Sequence, residues 1–294
     1  MEKIAAVVVT YNRKELLRQC IAHLCAQQGA ICDILIVDNA STDGTREAIG
    51  EMRNEQVLYR NTGINLGGAG GFHFGMKWAA EVGYDGIWIM DDDTLPEADA
   101  LEKLLDADAA LKGDYGFLSS RVLWTDGTDC PMNLQRKTPY KDIDGFDKPL
   151  VPVAMASFVS LFLRAATIKE FGLPIAEFFI WSDDWEYTRR ISLQRRCYAV
   201  RDSRVVHAMK NNTVVNIATD TPERLPRYVY FYRNDVYLYR REGWKGWLWL
   251  LAKNCWHSLQ VLLRCKKEKS KKLKIIWGGF CAGCRFLNNG EDVV

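Results

Sequence analysis

At 294 residues, 48% of them hydrophobic, the chain has enough apolar material for one large core or two fused lobes. A formal charge of only +2 gives no overall pull toward nucleic acid, and none is expected as a partner. Charge is instead local: residues 264–274 hold seven basic side chains against one acidic, which leaves the remainder acidic. Nine cysteines, an odd count without a regular framework, suit a reducing compartment. No signal-peptide pattern precedes the first apolar run, so a cytoplasmic location is expected.

Residues 5–10 are apolar and rich in valine, as in a parallel strand covered on both faces. Residues 15–27 then place Leu16, Leu17, Cys20, Ile21, Leu24 and Cys25 at helical spacing. A second buried strand, 33–37, ends at Asp38, and Ser41-Thr42-Asp43-Gly44 turns and caps a helix running through Met52. Residues 56–60 read as a third strand, 72–82 as a helix behind a glycine-rich stretch, and 86–90 as a fourth strand. This alternation predicts an α/β fold with a doubly wound, mostly parallel, Rossmann-like sheet and right-handed crossovers. Past residue 115, strands are expected at 115–122 and 153–163. The polar excursion between them, 125–148, is of the kind that forms binding loops or lids. From Arg227 the chain is aromatic and helical.

The strongest chemical signal is Asp91-Asp92-Asp93 directly behind Gly86-Ile87-Trp88-Ile89-Met90. Open α/β sheets bind ligands at the carboxyl ends of their strands, and adjacent carboxylates there call for a cation. A solvated turn capping a helix at Thr94-Leu95-Pro96-Glu97 is the alternative. Thr10, Asn12 and Arg13 end the first strand with groups that can bond a base and a phosphate, or can cap the next helix. Asp38 can accept a bond from a nucleoside. Asn65-Leu66-Gly67-Gly68-Ala69-Gly70-Gly71-Phe72 lets Gly68 and Gly70 bring backbone close to a ligand before a helix starts, or is a plain flexible loop.

In Trp181-Ser182-Asp183-Asp184-Trp185-Glu186, carboxylates between tryptophans can have a raised pKa and supply a general base. The aromatic faces suit stacking on sugar rings. Equally, Asp183 can be a helix cap with acidic residues in the first turn. His207, in a strand-like run, can join Asp91 and Asp93 as a metal ligand, mixed O/N ligation suiting Mn²⁺ or Mg²⁺. His23, His73 and His257 have no such company. Cys281-Ala282-Gly283-Cys284, a lone pair of cysteines, reads as packing in a small-residue helix.

In their order, residues 8–13, 37–44, 65–72, 91–93, 183–186 and His207 resemble the family 2 glycosyltransferases of the GT-A fold. The glycine stretch, the triple aspartate and the tryptophan-flanked acids look most like the bacterial galactofuranosyltransferases. Related rhamnosyltransferases of surface polysaccharide assembly share much of this. The resemblance implies that Thr10, Arg13 and Asp38 bind the nucleotide with Asn12, Asn65 and Asp92 nearby, and that Asp91, Asp93 and His207 hold the metal. It makes Asp184 the base and gives Asp183 a positioning role, with Trp181, Trp185 and Glu186 toward the acceptor. Glu186 stands where those galactofuranosyltransferases carry Asp. The implied reaction moves galactofuranose from a UDP-sugar, with inversion, to a glycan or lipid-linked acceptor. A dTDP-rhamnose donor, a sugar-nucleotide nucleotidyltransferase and a non-catalytic sugar-nucleotide-binding module are the alternatives.

A catalytic domain is expected over 1–225, its nucleotide-binding part ending near 115 and its acceptor-binding part filling 116–225, followed by a helical extension at 226–294. Trp244, Trp247, Trp249 and Trp256 lie beside the lysine patch but are interrupted by polar residues. Such a segment suits a helix lying in the interface of an anionic membrane, on its cytoplasmic face. A helical lid or the interface of a homo-oligomer would use the same residues.

Overall fold

The computed structural model describes residues 3–52, 55–209 and 215–286. Strand β1 (Ile4–Thr10) and helix α1 (Lys14–Cys25) lead to β2 (Asp33–Asp38), α2 (Thr45–Met52), β3 (Val57–Asn61), α3 (Gly67–Val82) and β4 (Gly86–Asp91). Then come β5 (Thr94–Pro96), α4 (Ala100–Leu111), β6 (Leu118–Leu123) and a small hairpin of β7 (Arg136–Thr138) and β8 (Lys141–Asp142). After β9 (Leu150–Pro152), β10 (Leu161–Arg164) and α5 (Ala165–Phe171), α6 (Asp183–Ser192) precedes β11 (Tyr198–His207). Helices α7 (Tyr228–Arg240), α8 (Gly243–Arg264) and α9 (Lys269–Arg285) follow.

The main sheet runs β3-β2-β1-β4-β10-β6-β11-β5, with β9 also paired to β11. Strands β1 to β4 are mutually parallel, as are β6 and β11, while β10 enters antiparallel between β4 and β6. Every residue of β1 is buried because alternate side chains enter cores on opposite faces of the sheet. Ala6 and Val8 pack with Leu17, Ile21 and Leu104 of α1 and α4, whereas Val7 and Val9 pack with Phe72 and Met76 of α3. The parallel strands therefore all deliver their C-terminal residues to one edge of the sheet.

Four expectations change. Residues 153–163 are not one strand: after Pro152 the chain turns, Met155 accepting from the Arg136 amide, before β10 begins. Those apolar residues are buried against α3 and α6, Phe158 meeting Phe72 and Tyr187 and Ala156 bonding Thr188, and an apolar run does not distinguish that from ladder pairing. Residues 94–96 pair antiparallel with β11 and do not lead straight into a helix. Helix α3 starts at Gly67, not 72, so its glycines are helical. A Cβ on Gly71 would lie 2.5 Å from Val9 and one on Gly75 2.4 Å from Val7, so bare backbone lets α3 sit close on β1. In α9, Gly279 and Gly283 do the packing against α7 while Cys281 and Cys284 face outward.

Gly75→Ala is expected to cost about 1–3 kcal/mol, because the new methyl has no room against Val7. Gly68→Ala, with nothing within 4 Å of its Cβ position, should be neutral or stabilise by up to about 1 kcal/mol. Urea denaturation of the two variants checks the contrast.

Candidate active site

The triple aspartate ends β4 and turns into β5 at the carboxyl edge of the sheet. Asp92 and Asp93 are buried and Asp91 is partly exposed. Thr10, at the end of neighbouring β1, donates its hydroxyl to Asp92 at 2.7 Å. Arg13 reaches Asp92 at 3.1 Å and Asp93 at 2.7 Å from the same nitrogen. In this state the Thr10 hydroxyl and Arg13 guanidinium are spent on the acidic cluster. His207, the last residue of β11, meets Asp93 through Nε2 at 3.1 Å. Its Nδ1 lies 2.8 Å from Asn133 Oδ1, which also accepts from the Cys130 thiol at 3.1 Å. Nδ1 therefore carries a proton, and Nε2 is the nitrogen turned toward the acids.

Asp91, Asp93 and His207 can each offer one ligand atom, all within 4.8 Å of one another. That spacing and mixed O/N donor set fit a divalent cation. Electrostatics without the ion match. Burial and the charge of Asp93 push the Asp91 carboxyl up. Burial likewise raises Asp92, to about 6, against the pull of Arg13. Burial also opposes ionisation of Asp93, but the hydrogen bond and charge of His207, with Arg13, hold it below the usual range. His207 loses some basicity to burial, yet its bond to Asp93 and the charges of Asp93 and Asp91 carry it to about 10.

The second acidic pair opens α6. Asp183 is buried and is the first helical residue, so the cap is Ser182 and not Asp183. Asp184 is partly exposed and accepts from the Trp185 amide at 2.7 Å. Burial raises both carboxyls, and for Asp184 the charges of Asp183 and then Asp91 add to the effect while Arg136 opposes it. The charge of Asp91 is thus felt at Asp184. Arg136, from β7, stacks over the Trp185 ring at 4.4 Å.

The remaining predicted residues are distributed around this centre. Asp38 accepts from the Ser41 amide at 2.8 Å and the Tyr59 hydroxyl at 2.6 Å. Asn12 takes a left-handed conformation, φ 53°, and accepts from the Thr42 amide at 2.7 Å, joining the loops after β1 and β2. Asn65 accepts from the Gly67 amide at 2.8 Å and so ends the turn into α3. Gly68 borders open space, whereas Gly70 is buried against Leu66 and presents no surface to a donor. Trp181 packs edge-on to Tyr228 and Phe231 of α7. Glu186 departs from its predicted place toward an acceptor: it is buried, gripping Arg190 at 3.1 Å and Arg241 at 2.8 Å. Its charge is used to tie α6 to α7. Asn133 and Arg136 had no motif to mark them, being single polar residues inside the 125–148 excursion.

An α/β sheet with carboxylates gathered at its C-terminal strand edge is the architecture of the GT-A glycosyltransferases, and the comparisons with known proteins agree. The sequence profile of glycosyl transferase family 2 matches residues 5–167, and the chain belongs to that family. Galactofuranosyltransferase GlfT1 of Mycolicibacterium smegmatis is 25% identical over 292 residues, covering 90% of this chain and 96% of that protein. Among solved structures, Staphylococcus aureus TarS residues 1–349 in complex with UDP align with a TM-score of 0.58 at 16% identity, over 97% of this chain and 72% of that one. Mannosyltransferase PcManGT from Pyrobaculum calidifontis, in complex with GDP-Man and Mn²⁺, aligns with a TM-score of 0.57 at 14% identity, over 96% and 75%.

A divalent cation bound at this site would displace the His207 proton at any pH below about 10 and, below about 7, one from Asp91 as well. Mn²⁺ affinity is therefore expected to rise with pH between 6 and 8, by roughly tenfold per unit near pH 8 and more steeply near pH 6. Titration calorimetry in buffers of different ionisation enthalpy should report about one proton released per ion at pH 8 and closer to two at pH 6.

Proposed function

We propose that this glycosyltransferase is metal-dependent and inverting, and moves galactofuranose from UDP-galactofuranose to a glycan or lipid-linked acceptor. The observation that carries the reading is the grouping of ligand atoms of Asp91, Asp93 and His207 within 4.8 Å of one another; a partly exposed Asp184 on which the Asp91 charge acts supports our reading that the two share one cleft. Similarity to the galactofuranosyltransferase over nearly both whole chains supports the donor sugar. The UDP bound by one structural neighbour and the GDP-Man and Mn²⁺ bound by the other support a nucleotide-sugar site of this type.

In this reading Asp184 accepts the proton of an acceptor hydroxyl as its oxygen bonds to the anomeric carbon and the bond to the diphosphate breaks. Positioned proton transfer of this kind contributes on the order of 10²–10⁴-fold. Asp183, buried beneath it, sustains its raised basicity. Asp91, Asp93 and His207 would hold a Mn²⁺ or Mg²⁺ ion, which would supply positive charge to offset the negative charge growing on the departing diphosphate. Asp38 and Asn12 border the nucleotide, and Arg13 can turn from Asp92 and Asp93 to a phosphate once a cation replaces it. Asn65 and Gly68 lie on the donor side, Trp181 and Trp185 on the acceptor side. The catalytic part spans 1–225, with its nucleotide-binding portion up to about 115.

We place the enzyme on the cytoplasmic face of a membrane. Among the described residues no helix is long and apolar enough to cross one. In α8, however, Trp244, Leu248, Leu251, Cys255, Leu259 and Leu262 fall on one side and are all exposed. This stripe extends about 27 Å along the helix, and the exposed Lys266, Lys267, Lys269, Lys271 and Lys274 continue from its end. Apolar area beside positive charge fits the headgroup region of an anionic bilayer. Lys272 is excluded from that surface, being buried with its ammonium on the Ala218 carbonyl.

Asp184→Ala is expected to lower transfer at least 10²-fold while UDP binding persists. Retained turnover would remove Asp184 as the base. A thermal-shift screen of UDP, dTDP and GDP, each with and without Mn²⁺, should single out UDP with the ion, and selective stabilisation by dTDP would point to rhamnose instead. Changing the five exposed lysines to Gln should reduce co-sedimentation with anionic vesicles; unchanged binding would discard the membrane surface.

A further inference from the structure

Residues 178–182, which lead into α6, hold an unusual backbone. Phe179, Trp181 and Ser182 have φ of 62°, 65° and 64°, a left-handed region that bulky L-residues avoid. Such a run persists only where its surroundings over-determine it. One side is α7: the fully buried Asn234 donates from its single amide nitrogen to the carbonyls of Phe178 at 3.0 Å, Ile180 at 3.2 Å and Trp181 at 2.8 Å. Two N–H groups thus serve three acceptors. Its neighbour Asp235, also buried, accepts the Ser182 hydroxyl at 2.9 Å and is neutralised by Lys253 of α8 at 2.5 Å. On the other side, the Ala69 amide at the start of α3 donates to the Phe179 carbonyl at 3.2 Å. Gly67 permits that approach, because a Cβ there would lie 2.1 Å from the same oxygen.

The direction of the Ser182 hydroxyl matters for the acids. It faces Asp235 and caps none of the α6 amides. The first-turn N–H groups of α6 are left to the carboxylates, Trp185 donating to Asp184. We infer that Asn234 and Asp235 are positioning residues that, by clamping the left-handed 178–182 turn, aim Asp183 and Asp184 into the cleft. The inference rests on Asp184 being the base. It makes α7, from the C-terminal helices, a working part of the transferase site.

The test uses the full-length enzyme. Asn234→Asp keeps the shape and removes the amide donors, and Ser182→Ala removes only the hydroxyl that Asp235 receives. Both are expected to lower kcat on the order of 10–100-fold, as for a reacting group misplaced by about an ångström. UDP–Mn²⁺ affinity and donor KM should stay within about twofold of wild type, since the Asp91–Asp93–His207 site is untouched. A merely structural role would instead lower melting temperature, nucleotide affinity and turnover together. Unchanged kcat in folded Asn234→Asp overturns the inference. If that variant does not fold, full activity of Ser182→Ala overturns it. Active clamp variants beside an inactive Asp184→Ala would sink only the clamp, whereas an active Asp184→Ala would sink the base assignment beneath it.

Discussion

Three consecutive carboxylates at the end of a buried strand repel one another, and folding has to tolerate them. Arg13 and His207 provide the balance, coming from the neighbouring strand end of β1 and from β11 across the sheet. Each partner of such a buried cluster is costly to remove, because the charge left behind is desolvated and unpaired. The arrangement therefore constrains the order of strands: β1 beside β4, and β11 ending over the same edge. One set of side chains thus meets a folding constraint and gathers ligand atoms at a spacing that fits a divalent cation.

Around that centre, backbone proximity is obtained by omission of side chains. Glycines in α3 are spent on close contact with β1 and with the 178–182 turn, so the helix start abuts the segment that carries the second acidic pair. Packing and chemistry are joined at that contact. The left-handed residues before α6 are energetically unfavourable by themselves and are held by α3 on one side and α7 on the other. The buried Glu186 pairs with the exposed Arg241 just past the end of α7, and Arg189 pairs with Glu242 at 2.6 Å nearby, so ion pairs join α6 to the α7–α8 junction.

The C-terminal helices have two faces with different demands. The inner face of α7 supplies Asn234 and Asp235 to the catalytic lobe, while the outer stripe of α8 exposes large apolar side chains that water solvates poorly. Lys253 connects the two, standing on α8 and neutralising Asp235. A helix layer thus links the exposed apolar stripe of α8 with the turn that leads into the second acidic pair.

Much was legible in the sequence because the signals are local. Valine-rich runs, helical spacing and an acidic triplet behind Met90 depend on near neighbours, and they identify the sheet, its strand ends and the residues gathered there. The single strand expected at 153–163 shortens to β10, and the helix expected from 72 starts at Gly67, because an apolar or glycine-rich run has two burial solutions that only tertiary packing separates. Nothing local marks Asn133, Arg136, Asn234 or Asp235, since each acts on a group far away along the chain. Glu186 looked chemical from its acidic neighbours but is drawn inward by two arginines. Strand–helix alternation and the acidic runs, read from the sequence alone, determined the fold class and marked the candidate carboxylates; which side chains pair with those acids was decided by long-range hydrogen bonds that exist only once the chain has folded.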